Sequence, residues 1–464
     1  MVILVYPMLS AKNYVNKDSN YVYLKVLINE MIRQRPDWYF IYPFPENEGW
    51  SYIEEPEFWD RKNIIRIGKY FPIAKKDNVV HYDMKFWKRI IKKYGIDIMW
   101  TQVTEIGQNL PFVAPTFDIK ARPIVVNQHH YIIHKSMPYP VESQLNLLLN
   151  QLSSARVVDM NVFNSDYTRQ LVEENAEEYW GDKFKMNYEI IKMGVLNEEL
   201  FNRFDIKDKY DKFTIHYNHR LQDFKKWRTT FNILNELYKE GYDFNLVITG
   251  EGKQQVLKKY PFVIFKDNLI SYDSYIEELS KGHLNTTNTT IETFCIAGIE
   301  SMGAGEVLVA QNGLTFPELV SGDYPYLFNT QREQKEMIKG LMEWWNNDKE
   351  GYLDYVAGLK QEILSKWVLK EYAKNYIELF EGFDTKTIER LKPQNRQHII
   401  RTLKENNYKF ERLETVWRKL LYNHFGHQAF PKIKVKRILN DLGYSDYIDK
   451  DNKEQYIKYE GRGK

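Results

Sequence analysis

Short apolar runs alternate with longer stretches of helical periodicity along this chain, and the whole pattern occurs twice. Val2–Tyr6, Trp38–Tyr42, Asp97–Trp100, Pro123–Val126 and Val157–Phe163 read as strands, with helix-like stretches such as Val22–Arg33 and Phe86–Tyr94 between them. The pattern restarts after Gly194, where Phe213–Tyr217, Phe244–Thr249, Val263–Phe265 and Val307–Ala310 form a second set. Strand–helix alternation implies a parallel sheet with crossover helices. Two such units imply an α/β chain with two Rossmann-like domains, 1–194 and 195–383, facing a cleft that is the natural ligand site. The length of 464 residues also exceeds what one core usually organises.

Several classes are excluded. At 43% hydrophobic and 15% aromatic residues, the chain is neither mainly disordered nor collagen-like. One cysteine, Cys295, rules out a disulfide framework and a cysteine-based zinc site, and fits a reducing, cytoplasmic setting. Pro7 cuts short the opening apolar run, and no basic region precedes it. That run reads as a first buried strand rather than a signal peptide. No stretch approaches the ~20 apolar residues of a membrane span. Asn285-Thr-Thr and Asn288-Thr-Thr match the glycosylation acceptor pattern but read as a polar loop. No Gly-x-Gly-x-x-Gly follows the first strand, which argues against hydride transfer.

After Gly382-Phe-Asp the composition changes. Residues 386–464 hold 19 Lys/Arg and 10 Asp/Glu, a local charge of +9 within a net +2, so the rest carries −7. Asn395–Asn406, Lys409–His424 and Lys432–Leu442 read as three short amphipathic helices, making 384–464 a small basic helical domain. Tyr408, Phe410, Trp417 and Tyr422 are interleaved with the cations, and Lys432, Lys434, Lys436 and Arg437 form the densest patch. Cations mixed with aromatics fit a nucleic-acid grip. A solvated helical lid is the plainer reading.

The most informative stretch runs from Ile291 to Gly305, with Glu292 and Glu300 eight residues apart across apolar and small residues. If Thr293 caps a helix running to about Gly303, the two carboxylates lie ~12 Å apart along its axis. That separation matches the distance from a donor sugar to the ribose of a nucleoside diphosphate sugar. The helix N-terminus between them favours a diphosphate, and each carboxylate can accept from sugar hydroxyls.

This stretch resembles the Glu-x7-Glu signature of retaining GT-B glycosyltransferases of the glycogen-synthase-like family 4. Gly305-Glu-Val-Leu-Val-Ala-Gln-Asn312-Gly313, followed by Pro317-Glu318-Leu-Val, is similar to the family's next strand and Pro-Glu-Leu loop. His219-Arg220-Leu-Gln-Asp-Phe-Lys225-Lys226 resembles its Gly-Arg-Leu-x-x-x-Lys-Gly, with His219 and Lys226 at the glycine positions. Val162-Phe-Asn-Ser165 resembles the strand and serine before a domain-closing helix, and Ile190-Ile-Lys-Met-Gly194-Val195 the hinge. The first loop, Pro7-Met-Leu-Ser10-Ala-Lys12-Asn13, lacks the family's glycines, leaving Ser10 or Lys12 as possible donors. The run from Pro123 through His130 and Tyr139-Pro-Val-Glu to Ser165 resembles a nucleic-acid branch, the tRNA-queuosine mannosyltransferases. The likeness spans about residues 1–380.

The resemblance implies a GT-B fold and a retaining, metal-independent hexose transfer from a nucleotide sugar, a UDP-sugar foremost, with no further cofactor. It assigns Glu292 to the sugar hydroxyls, Glu300 to the ribose, Arg220 and Lys225 to the diphosphate, and Thr293 and Phe294 to the donor site. A histidine near the sugar is expected among His129, His130 and His134. Front-side attack assisted by the leaving phosphate fits the absence of an evident second carboxylate. With the basic tail, the favoured acceptor is a hydroxymethylated base in DNA, as in a phage enzyme, flipped from the stack to reach the site. A tRNA base, a glycan or a lipid remain alternatives, as does a non-catalytic nucleic-acid binder on this scaffold. Cation patches release counterions from phosphates, so binding should fall with salt by a log–log slope of roughly −0.9 per neutralised phosphate on duplex DNA. Replacing Lys432, Lys434, Lys436 and Arg437 together is expected to flatten that slope in filter-binding titrations. An unchanged slope would remove the patch from the interface.

Overall fold

Val2–Tyr6 (β1) lies at the heart of a seven-stranded, all-parallel sheet, which is why its five residues are nearly all apolar. The computed structural model describes residues 1–7, 19–43, 58, 61–67, 73–74, 79–80, 84–111, 123–134, 144–181, 184–194, 197–250, 259–266, 271–383, 410–412, 444–448 and 455–459. The first sheet continues through β2 (Tyr39–Pro43), β3 (Ile64–Ile67), β6 (Ile98–Thr101), β7 (Ile124–His129), β8 (Met160–Phe163) and β9 (Tyr188–Ile190), in the order β3-β2-β1-β6-β7-β8-β9. A two-stranded pair, β4 (Ile73–Ala74) and β5 (Val79–Val80), stands apart. The second sheet comprises β10 (Thr214–Tyr217), β11 (Asn245–Ile248), β12 (Val263–Phe265), β13 (Leu284–Thr286), β14 (Val307–Gln311) and β15 (Leu327–Phe328). Its order is β12-β11-β10-β13-β14-β15, again all parallel. Both orders start outward from the first strand and then return across it. That reversal opens a crevice at the carboxyl ends of the strands in each half.

Val2–Tyr6 and Val263–Phe265 are observed to the residue, and the other expected strands differ by one to three residues at an end. The end of Pro123–Val126 and the start of Val157–Phe163 differ most. The helix Leu145–Val157 absorbs the start of that run, and the strand begins only at Met160. Val158 N–H still donates to Ser154 O, so the helical ladder runs on into the apolar stretch.

The final helix of the second half, Leu369–Gly382, packs back on helix Ser19–Gln34 of the first. Its Tyr376 ring lies 4.8 Å from Trp100, and Phe380 stacks on Trp38 at 6.2 Å. Tyr372 meets Tyr23 and accepts from Gln128 Nε2 at 3.1 Å. Aromatic pairs of this kind add about 0.5–1.5 kcal/mol each beyond area burial. At the crossing, a Cβ on Gly194 would stand 2.2 Å from Val368 O, so only glycine lets the connecting backbone pass there.

The basic tail departs from the expected three helices. Phe410–Arg412 (β16), inside the segment expected as helix Lys409–His424, pairs antiparallel with Gln455–Tyr459 (β18), which also pairs with Tyr444–Ile448 (β17). Aromatic and β-branched residues in Tyr444-Ser-Asp-Tyr-Ile and Gln455-Tyr-Ile-Lys-Tyr favour strands. The expected helices Asn395–Asn406 and Lys432–Leu442, with Lys432, Lys434, Lys436 and Arg437, lie outside the described residues, as do Ser10, Lys12 and Tyr139. Among the described residues, no helix is long and apolar enough to cross a membrane. Asn285 is buried within β13, which corrects its reading as part of a loop.

Charge is buried beneath the second sheet. His216 contacts Glu306 through Nδ1 and lies 3.3 Å from Glu278 through Nε2. Glu278 also accepts from Lys266 at 2.6 Å and from Tyr210 at 3.0 Å. Burial alone would lower the His216 pKa, but Glu306 and Glu278 outweigh it and hold it up at about 9. A folded-state pKa raised above the unfolded value contributes stability below about pH 6.5 that is lost as pH rises through the folded value. The wild type is therefore expected to lose on the order of 1–3 kcal/mol between pH 7 and pH 10 relative to His216→Gln, by denaturant titration at each pH. Parallel stability curves for the two proteins would show that His216 folds uncharged.

Candidate active site

The loop after β10 and the loop after β13 meet at the carboxyl edge of the second sheet. Phe224 O accepts from Thr290 N at 2.9 Å and from Thr290 Oγ1 at 3.1 Å. That docking sets Lys225, at the end of the short 3-10 turn Asp223–Lys225, against Glu292. Lys225 Nζ donates to Glu292 Oε2 at 2.6 Å, and the two side chains are only 15% and 11% exposed. Arg220 is exposed on the same loop; its backbone carbonyl accepts from Gln222 N at 2.8 Å, and its guanidinium has no ion-pair partner among the described residues. The Arg220 loop rests on Gly250, where a Cβ would meet His219 O at 2.3 Å.

Lys226 answers the question raised by the missing glycine. Its φ of 48° is left-handed, the conformation a glycine adopts most readily. The turn shape expected of Lys-Gly is therefore kept with a lysine in it. His219, at the other glycine position, is buried, with its Nε2 unpartnered, and burial beside Lys225 holds it neutral.

Helix Ile296–Ala304 starts later than expected. Cys295 occupies the N-cap position without a side-chain hydrogen bond, and Thr293 does not cap it. Ile296 N–H donates to Phe294 O, and Thr293 is drawn toward the other domain instead. Thr293 Oγ1 donates to His130 O at 2.7 Å. Thr293 O accepts from Ser165 Oγ at 2.8 Å and from Thr168 Oγ1 at 3.2 Å. Ser165 is the N-cap of helix Asp166–Trp180, as expected. The same helix end donates Asp166 N and Tyr167 N to the Glu318 carboxylate of the second half, at 2.9 and 2.7 Å. A carboxylate there complements the positive end of the helix. Phe294 is turned into the core against Trp367, 5.4 Å away, so its ring is not presented to a ligand.

The three histidines separate. His129 is fully buried, stacked on Phe163 at 4.5 Å, with Nε2 2.9 Å from Asn161 Oδ1. His134 pairs with Glu174 at 3.1 Å, on helix Asp166–Trp180. His130 alone touches the second domain; its Nδ1 lies 3.3 Å from Asn164 Nδ2, and its Nε2 is unpartnered. Burial lowers the pKa of His129 to about 4 and of His130 to about 3, so both rings are neutral at pH 7. Lys225, Glu292, Thr293 and His130 thus form one continuous line across the cleft.

Glu300 lies on helix Ile296–Ala304, buried, its Oε1 accepting from Tyr272 at 2.7 Å and its Oε2 from Tyr275 at 3.0 Å. Desolvation raises its pKa to about 7 against the pull of both hydroxyls. Sequence reasoning missed Tyr272 and Tyr275, which donate to Glu300 from another helix, and Asn218, which donates to Tyr275; none carries a motif. Other unpartnered buried atoms, Thr249 Oγ1, Thr287 Oγ1 and Thr315 Oγ1, also follow strands of the second sheet. Such atoms are costly unless something else hydrogen-bonds them. No group of three or more His, Cys, Asp or Glu that could hold a metal occurs among the described residues.

No protein-family model and no curated protein sequence matches the chain. Solved structures do. Sucrose-phosphate synthase from Thermosynechococcus elongatus is 13% identical and has a TM-score of 0.59, over 83% of this chain and 99% of that one. Anabaena HepE, solved with UDP-glucose, gives 0.57 at 13% identity over 82% and 99%. The α,α-trehalose 6-phosphate synthase from Burkholderia multivorans gives 0.54 at 9% identity over 83% and 97%. At these identities the likeness is one of fold, and the fold is GT-B: two Rossmann-like domains closing on a shared cleft.

A left-handed non-glycine residue is strained by about 1–2 kcal/mol, which a glycine relieves at an entropic cost of about 0.5–1 kcal/mol. Lys226→Gly is therefore expected to leave thermal stability unchanged or slightly higher. Lys226→Val, β-branched in the same conformation, should lower it by about 1–2 kcal/mol. Equal melting temperatures for the two variants would mean the turn is not left-handed in solution.

Proposed function

We propose that this chain transfers a hexose, with retention, from a nucleoside diphosphate sugar to a hydroxyl acceptor. The observation that carries the reading is the Lys225–Glu292 pair in the cleft, with Arg220 free beside it and Thr293 bridging to His130. A leaving diphosphate gains negative charge as the sugar departs, and fixed cations placed there stabilise it. Arg220 and Lys225 are those cations. Glu292 holds sugar hydroxyls once the donor displaces or shares its lysine. Glu300 accepts from the ribose hydroxyls. A UDP-sugar is the favoured donor, in keeping with the UDP-glucose bound by HepE.

In this mechanism the bond between the sugar C1 and the phosphate oxygen breaks while the acceptor oxygen closes on the same face. The acceptor proton passes to the departing phosphate oxygen, so no protein carboxylate need become covalently attached. In this reading His130, neutral and adjoining Thr293, is the histidine that meets the sugar. The favoured acceptor is a hydroxymethylated base in DNA, supported by the +9 charge of residues 386–464 against −7 in the remainder.

Glu292→Ala is expected to reduce transfer at least about 100-fold, the usual scale of a lost transition-state contact, while the circular dichroism spectrum is unchanged. Arg220→Ala should reduce it strongly as well. The assay is mass spectrometry of hydroxymethylated DNA, ordinary DNA and tRNA after incubation with UDP-, GDP- and ADP-hexoses, with the product anomer read by NMR. Near-normal transfer by a folded Glu292→Ala would remove the carboxylate from the sugar site. An inverted anomer would overturn the retaining mechanism.

A further inference from the structure

Glu300 is not left to find its orientation alone. The Tyr272 and Tyr275 hydroxyls come from one face of helix Tyr272–Ser280, three residues apart, and each donates to a different carboxylate oxygen. Tyr275 is itself steadied: its hydroxyl accepts from Asn218 Nδ2 at 2.9 Å. Asn218 is gripped in turn, donating to Ala297 O at 2.9 Å and accepting from Asn285 Nδ2 at 2.9 Å. Its Nδ2 is also 3.2 Å from Ser301 Oγ, next to Glu300 in the chain. The carboxylate plane is thus fixed from two directions. Each oxygen keeps one lone pair for another donor.

Resting on the donor-site reading above, we infer that Tyr272 and Tyr275, with Asn218 behind them, are positioning residues that hold Glu300 as a preset two-oxygen acceptor for the paired ribose hydroxyls of the donor. Two vicinal hydroxyls need two acceptor oxygens at a fixed spacing and tilt. A carboxylate free to rotate would lose rotamer entropy on binding that this arrangement has already given up. The tyrosine hydroxyls also favour the ionised form of the carboxyl. Burial favours the neutral acid, and hydroxyl donors oppose that. The pKa of Glu300 is raised to about 7 with both tyrosines in place. The titratable groups around it are Tyr272 and Tyr275 themselves, the Cys295 thiol at the start of its own helix, and, acting on the tyrosines, Asp273 and Glu306. The pKa values of both tyrosines and of the thiol are raised, so these three stay uncharged at neutral pH while Glu300 changes charge near pH 7.

The experiment compares wild type, Tyr272→Phe, Tyr275→Phe and Glu300→Gln. Binding of the tightest of a UDP-, GDP- and ADP-hexose panel is measured by calorimetry from pH 5.5 to 8.5. A nucleotide sugar is chosen because its doubly esterified diphosphate has no ionisation in this range. Wild-type affinity is expected to be flat above about pH 7 and to fall below it as Glu300 takes up a proton. Each phenylalanine variant should weaken binding about 3–10-fold at pH 7, the scale of one lost hydrogen bond to a charged group, with turnover at saturation little changed. Its fall-off should begin at higher pH, because one donor to the carboxylate is gone. NMR of protein labelled with glutamate carboxyl 13C, with the Glu300 signal assigned by its loss in Glu300→Gln, should show the same upward displacement without ligand.

Phenylalanine variants that match wild type in affinity, pH profile and carboxyl titration would overturn the positioning role. If Glu300→Gln is weakened while they are not, the donor-site reading stands and this inference alone fails. If wild type binds no nucleotide sugar, or Glu300→Gln binds as well as wild type, both fail.

Discussion

Thr293 is held from two sides at once, and the cleft depends on that. Its hydroxyl reaches the backbone of His130 in the first domain, while its own carbonyl receives Ser165 and Thr168 from the start of the next helix. Glu318 adds a second tie, placing a carboxylate on the same helix end. These contacts are polar and short-range. They fix the distance between the edges of two sheets that also meet along the aromatic seam of helix Leu369–Gly382. The seam resists separation through area, and the polar ties set register. A small shift at Thr293 moves its neighbour Glu292 relative to everything the first domain presents.

The site itself is assembled from groups that the fold would not choose for stability. His130 Nε2, His219 Nε2 and the hydroxyls of Thr249, Thr287 and Thr315 are buried without partners at or near the ends of strands. Each such atom costs on the order of 1–3 kcal/mol unless a ligand or water completes it. Lys226 adds backbone strain one residue beyond Lys225. The largely buried, almost wholly apolar strands β1 and β14 supply hydrophobic stabilisation against which such costs are borne. In the buried His216–Glu306–Glu278 cluster the imidazole meets both carboxylates, although Glu306 Oε2 is also without a partner.

Much of the fold was legible because parallel strands buried on both faces must be continuous apolar runs, and these stand out from helical periodicity. Val307–Gln311 and Val263–Phe265 were found almost to the residue for that reason. Boundaries failed where apolar residues continued past the element, as at Val157, and where a tertiary contact outbid a local one, as at Thr293. Threonine before a helix is a good cap in isolation, but the backbone of His130, 163 residues away, supplies its partner here. The Lys225–Glu292 pairing was legible in part, since both residues stand in motifs. Their contact depends on Phe224 O meeting Thr290, which no local signal encodes. Tyr272, Tyr275 and Asn218 left no trace at all, because their roles arise only where separate elements meet around Glu300. The tail went wrong at Phe410–Arg412 because a strand so short takes its identity from the partner it joins.

The Lys225–Glu292 pair has a consequence for how such a site can bind. Without ligand, the cation that the proposed mechanism gives to the diphosphate and the carboxylate it gives to the sugar neutralise each other at 2.6 Å, largely out of solvent. An unpaired buried charge of either sign would be strongly unfavourable, so the pairing keeps the empty site inexpensive. A phosphate alone would take the lysine and strand the carboxylate; a sugar alone would compete for the carboxylate against a full charge. A molecule carrying both groups at the right spacing replaces the pair in one step and leaves neither ion exposed to a poor environment. On the proposed function, the cleft would thereby favour the intact nucleotide sugar over its fragments through the removal of a partner from each ion, rather than through any single strong contact.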